Sequence, residues 1–185
     1  MSLWGNDIKP KNLTDAEKKE VYATKQGWVR EAGSILSGNG NTSADPEVLV
    51  AISNLSANMG SANITELEFI TTAFDKSDGG TLQVRARFNE PVTVTGTPQL
   101  TVVNDSRANH TLSYASGSTT NELVFSLTIA AANAATNAGD ELSLGANAIS
   151  LNGGTIKDTG QSGTNATITN AASIGTAAGT ITVAA

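Results

Sequence analysis

The stretch "TLQVRARF" at residues 81–88 alternates apolar and polar residues cleanly, and "ELVFSLTI" at 122–129 repeats the pattern. Successive side chains of an extended strand point to opposite faces, so this period of two describes a strand with one dry side and one wet side. Leu82, Val84, Ala86 and Phe88 share the dry face of the first stretch, against Gln83, Arg85 and Arg87 on the wet face. Leu123, Phe125, Leu127 and Ile129 are the inward set of the second. Around them lie "QLTVV", "HTLSYA", "ELSL", "AISL" and "TITV", short segments separated by Gly, Asn, Asp or Pro. Roughly seven to nine strands in some 120 residues is the density of a β-sandwich of immunoglobulin type.

The chain has no cysteine, which removes disulfides, thiolate chemistry and cysteine zinc sites. Any kinship with antibody domains is therefore architectural. Aromatic residues are 4% of the sequence, so the core must be built mainly from Ala, Val, Leu and Ile.

Residues 1–60 have a different texture. Thr14 is followed three positions later by Glu17, the capping-box spacing, and predicts a short helix over roughly residues 15–20. After it, "VYATKQGWVRE" sets β-favouring residues on both sides of a Lys-Gln-Gly turn, predicting a hairpin that displays Tyr22 and Trp28. "SGNGNTSADP" is a loop by composition. In "PEVLVAISNL", Asp45 and Pro46 suit a helix start, whereas Val48, Val50 and Ile52 alternate as a strand; the β-branched residues favour the strand.

Charge excludes one class of partner. Residues 1–60 carry six Lys/Arg and seven Asp/Glu, a net of −1, and residues 61–185 carry five and ten, a net of −5. Neither part supplies the basic stripe that neutralising phosphates requires, so nucleic acid is not an expected partner. The opening "MSLWGNDIKPKN" lacks the basic and apolar regions of a secretory leader, and no stretch reaches the ~20 apolar residues of a membrane span.

Candidate chemistry is sparse. His110 is the only histidine and sits in the turn-like "DSRANHTL", where a solvated side chain is expected, because a base needs an oriented nucleophile within reach. Asp75, Asp78, Asp140, Glu141 and Asp158 fall at strand ends, where clustered oxygens can hold calcium, but Asp also simply favours turns. "FDKSDGG" lacks the acidic ladder of an EF-hand, and "NGGT" is not set between a strand and a helix as a phosphate loop would be. The Asn-x-Thr triplets at Asn12, Asn63 and Asn109 follow from composition. No catalytic residue, cofactor or metal is expected, and the chain is not read as an enzyme.

At "VRARFNEPVTVTGTPQLTV", "YASGSTTNELVFSLTI", "AGDELSLGANAISLNGGTIKD" and "NATIT", the sequence resembles the bacterial immunoglobulin-like repeats of large surface and adhesion proteins, over roughly residues 64–183. Asn89 stands where that pattern usually has Ser. The resemblance implies a spacer or adhesion module. "LWGNDIKPKNLTDAEKKEVYATKQGWVREAG", followed by "PEVLVAISNLS", is similar to the opening module of virion structural proteins in marine contractile-tailed phages, notably cyanophages. That resemblance implies attachment by the first part and display by the second.

The resulting expectation divides the chain into a virion-attachment module at 1–60, a short helix plus a hairpin, and an immunoglobulin-like β-sandwich at 61–185. The function expected is that of a capsid decoration protein on the outer surface of a phage particle. Its partners would be the major capsid protein or other virion subunits, and it would be present in many copies. A tail, neck or fibre component is the alternative within that class, and a module binding host-surface glycans is the alternative outside it. Trp4, Tyr22 and Trp28 are the candidate partner-binding residues, since indoles are favoured interface anchors and the first 60 residues have little apolar material to bury two of them. For Trp28, packing against the β-domain stands equally as an alternative.

Overall fold

The computed structural model describes residues 9–10, 12–34, 36–38 and 40–185. In chain order the elements are α1 (Asp15–Lys19), β1 (Val21–Thr24), β2 (Gly27–Arg30), β3 (Glu47–Ala51), α2 (Leu55–Asn58), β4 (Ile64–Phe69), β5 (Phe74–Asp75) and β6 (Gly80–Thr95). Then follow β7 (Gln99–Asn104), β8 (His110–Ser116), β9 (Thr120–Ile129), β10 (Glu141–Ser143), β11 (Ile149–Ser150), β12 (Thr155–Asp158), α3 (Ala172–Ala177) and β13 (Ile181–Ala184).

Local chemistry accounts for the N-terminal elements. The Thr14 hydroxyl accepts the Glu17 N–H at 3.3 Å while the Glu17 carboxylate accepts the Thr14 N–H at 2.8 Å, so both ends of the capping box close and α1 starts there. β1 and β2 pair antiparallel from Thr24↔Gly27 to Val21↔Arg30, leaving Lys25 and Gln26 as the loop. Gly27 has φ +135°, and a Cβ there would lie 2.0 Å from the Val50 carbonyl oxygen, so this position admits only glycine. Residues 47–51 form a strand, β3, which completes a sheet ordered β1-β2-β3. The register slips between Trp28 and Val29, so Leu49 is an extra residue on β3; a bulge of this kind on an edge strand discourages pairing with other chains. The four-residue helix α2, which the sequence pattern does not announce, follows Asn54 in the left-handed conformation, φ 56°.

The remainder is mainly β, a many-stranded sheet that curls on itself. Hydrogen-bonded neighbours run β12-β6-β9-β8-β7-β10-β13-β5, with β4 also on β6 and β11 on β7. β6 makes the curl possible. Its first half lies between β4 and β9, while its second half carries β12 from Thr155↔Thr95 to Asp158↔Val92. Between the halves, Phe88–Pro91 bulge out opposite Asn121, and Pro91, which cannot donate to a ladder, sits in that interruption. The expected inward residues are inside: Leu82, Val84, Ala86, Leu123 and Phe125 are fully buried, Phe88 and Ile129 nearly so, and Leu127 half-buried.

Buried apolar residues form two separate clusters. One runs from Val21 to Met59 and includes Ala23, Trp28 and Leu55, with Leu13, Leu49, Val50 and Ile52 packed on it. The other runs from Ala62 to Val183 and fills the curled sheet. No helix among the described residues is long and apolar enough to cross a membrane.

Candidate functional site

The most heavily organised polar region is the seam where the N-terminal sheet lies against β6. β1 packs on β6, and an arginine on the nominally wet face of β6 is only 7% exposed. That residue, Arg87, donates from Nε to Glu122 on β9, from Nη1 to Glu66 on β4 at 3.0 Å, and from Nη2 to Glu31, just after β2, at 3.3 Å. Lys19 of α1 reaches across to the same Glu66. Beside this cluster Arg85 bridges Glu68 at 2.7 Å and Glu122 at 3.4 Å. A second tie is made by Gln161, whose side-chain amide donates to the Ala57 carbonyl of α2 at 3.1 Å.

Burial and charge set the protonation states in the seam. Burial first, then the neighbouring Glu122 charge, pushes the Glu31 carboxyl up to about 7, against the pull of Arg87. Burial also works to raise Glu122, but the hydrogen bond and charge of Arg87 outweigh it and hold that group below the usual range. Tyr22 faces the same region, and its phenol is raised by burial and then by the Glu31 and Glu122 charges.

Two of the three expected anchor residues are buried within the fold. Trp28 is wholly buried, in the N-terminal core with Ala23 and Leu55, and is not on display. The apolar material around this indole includes Leu55 and Met59 of the α2 region and residues of β3. Tyr22, 9% exposed, lies on the opposite face of the hairpin from Ala23 and is taken up by the seam. Thus Tyr22, not Trp28, faces the β-domain. Trp4 lies outside the described residues.

A second polar group is buried at the β6 bulge. Glu90 is fully buried and neither of its oxygens has a protein partner; burial, then the charge of Asp158, pushes its carboxyl up to about 8. Asn89 uses its side-chain oxygen to accept the Asn63 N–H at 2.7 Å. The side-chain nitrogens of Asn89 and Asn121 are buried without partners. The "FNEPV" stretch thus brings a carboxyl, raised by burial, into the interior.

Asp158, Asp140 and Asp75 accept hydrogen bonds within the fold. Asp158 accepts the Ala62 N–H at 2.9 Å and the Gln161 N–H at 2.8 Å, pinning β12 to the chain entering β4. Asp140 accepts from Ser106, from Asn104 at 2.9 Å and from the Asn137 N–H at 2.8 Å. Asp75 accepts from the N–H and the hydroxyl of Ser77, both at 2.7 Å, within its own turn. Among the described residues no group of three or more His, Asp or Glu side chains is arranged to hold a metal ion. The expectation of a solvated His110 is corrected: it begins β8, is 4% exposed, and burial lowers its basicity despite the nearby Asp140 charge.

Sequence reasoning missed the seam because alternation assigns Arg85 and Arg87 to water. A signal was present: "TELEF" sets Glu66 and Glu68 at the same period of two, so opposite charges can face each other across the ladder. Comparison with family models, with curated proteins and with solved structures finds no match for this chain.

Proposed function

We propose that this chain is a non-enzymatic structural protein of a tailed-phage virion, a capsid decoration protein whose N-terminal part attaches to the particle and whose C-terminal part displays an immunoglobulin-like β-sandwich. The observation that carries the reading is the resemblance of residues 3–56 to phage virion opening modules, joined to a region that resembles adhesion repeats. The build supports that division. The N-terminal sheet has its own core and is ion-paired to β6, so a load on one part is passed to the other through Arg87 and Lys19 rather than through a free linker.

The glycan-binding alternative gains little from the side chains. Flat sugar recognition uses exposed aromatic faces, whereas Phe69, Phe74, Phe88 and Phe125 are buried and Tyr114 is half-buried with its hydroxyl accepting the Ser118 N–H at 2.8 Å. Attachment falls to Trp4 and to the exposed surface of the N-terminal sheet, since Tyr22 and Trp28 are spent inside. A cryo-EM map of the intact particle tests the proposal. Many symmetric copies of a β-domain standing on the capsid lattice are expected; density confined to the tail, neck or fibres moves the protein to that structure, and absence from the particle overturns the proposal.

A further inference from the structure

The seam contains more carboxyl groups than cations. From the N-terminal part come Glu20, Glu31 and Tyr22 with Lys19; from the β-domain come Glu66 and Glu68 of β4, Arg85 and Arg87 of β6 and Glu122 of β9. Each carboxylate but one is well compensated. Glu66 has Lys19 and Arg87; Glu122 has Arg87 and Arg85; Glu68 has Arg85; Glu20 accepts from the Ser34 hydroxyl. Glu31 is left with one 3.3 Å contact from Arg87 to Oε1, while its Oε2 is buried and no donor reaches it. An ionised oxygen in that position would carry a full desolvation cost with nothing to offset it. Arg87 holds Glu31 and Glu122 on one guanidinium, which sets the two carboxyl groups side by side, and the hydrogen bond between them forms only if one carries a proton.

We propose that the seam is a proton-operated latch: Glu31 and Glu122 share one proton over Arg87, docking the N-terminal sheet on β6 when Glu31 is protonated and loosening it when Glu31 ionises. The inference is independent of where the protein resides. Glu31 supplies the proton-binding site because its Oε2 is buried with no donor, and it lies on the N-terminal side of the contact, directly following β2. Its folded-state value, about 7, lies above its ordinary value near 4.5, so the proton's contribution to docking is full below about 4.5 and is lost as pH rises from there through about 7.

The test uses the full chain. Carboxyl carbon NMR shifts of the glutamates would be followed from pH 5 to 9, together with amide hydrogen-exchange protection factors, from which intrinsic base catalysis is removed. A glutamate titrating near 7 is expected, absent from Glu31→Gln, with the Glu122 signal moving at the same midpoint. Protection of the Tyr22 and Val29 amides should fall by up to about tenfold per pH unit between about 5 and that midpoint, as one linked proton dictates, and level off above it, while Phe125 does not follow. Glu31→Gln keeps a donor for Glu122 and an acceptor for Arg87, and should hold protection constant across the range; Glu90→Gln should leave the seam's profile as in the wild type. Flat protection in the wild type, an unchanged profile in Glu31→Gln, or no glutamate midpoint above 6 in Glu90→Gln, where Glu90 no longer supplies one, would each overturn the latch. The last reading stands even if Glu31→Gln fails to fold.

Discussion

The Tyr114 and Phe125 rings meet edge to face, their centroids 6.2 Å apart and their planes at 74°. The two residues are also direct partners across β8 and β9, so the ring contact and the ladder fix the same register. Phe125 is fully buried at the centre of the curled sheet. Phe125→Ala should therefore cost about 3–5 kcal/mol by removing apolar contact and leaving a cavity. Arg85→Ala, one strand away on the outer face, removes only partly exposed ion pairs and should cost under about 1 kcal/mol. Urea denaturation of both variants checks the pair; equal losses would mean that the inward face is wrongly assigned.

The inward faces of β6 and β9 were legible because period two reports a strand with one buried side, and Leu82, Val84, Ala86 and Phe88 are all inside. So were α1 and the β1/β2 hairpin, whose capping box and two-residue loop are local chemistry. What the pattern could not carry was contact between distant elements. Arg87 reads as solvent-facing until β1 is laid over it, and nothing in the local sequence marks Glu90 as buried until Asp158, far along the chain, closes beside it. Trp28 misled for a related reason: its core is assembled partly from α2 and the bulged β3, which are distant from it in sequence and become its neighbours only in the folded chain.

Glu90 gives a pH dependence of definite sign. Its folded-state value of about 8 lies above its ordinary value near 4.5, so the folded protein keeps a proton that the unfolded chain releases. The stabilisation is complete below about 4.5 and is lost as pH rises through about 8. Asp140 acts in the opposite sense: hydrogen bonds from Ser106, then Asn104 and the Asn137 N–H, hold it low, so its contribution is lost as pH falls through that lowered value. Stability should peak at mildly acid pH. Melting curves at pH 6 and 9 should show a lower Tm at the higher pH, and Glu90→Gln should flatten that slope. Identical slopes would place the titration elsewhere.

A fragment of residues 61–185 should fold cooperatively. The cluster that fills the curled sheet draws only on residues from Ala62 to Val183. What it loses is Glu31 on Arg87, Lys19 on Glu66 and the Ala57 carbonyl on Gln161, contacts whose groups become exposed to water when the partner is removed. A penalty of roughly 1–3 kcal/mol is expected, with a β-type circular dichroism spectrum and a single melting transition. A disordered fragment would show that the N-terminal sheet is part of the fold and not an addition to it.

The two tryptophans should fail differently. Trp28 is fully buried in a small core with Val21, Ala23, Leu55 and Met59, so Trp28→Ala should cost about 3–5 kcal/mol and unfold the N-terminal sheet; loss of particle incorporation would follow from that collapse. Trp4 belongs to the proposed attachment surface, and an aromatic anchor truncated at an interface costs ~2 kcal/mol or more in binding. Trp4→Ala should thus leave the melting of the free protein unchanged while lowering incorporation more than tenfold. Fusing residues 1–60 to an unrelated soluble domain should carry that domain onto particles lacking this protein, as assayed by sedimentation and gel. If the fusion stays in the supernatant while the isolated 61–185 fragment sediments with particles, the curled sheet is the anchor, and the attachment and display roles must be exchanged.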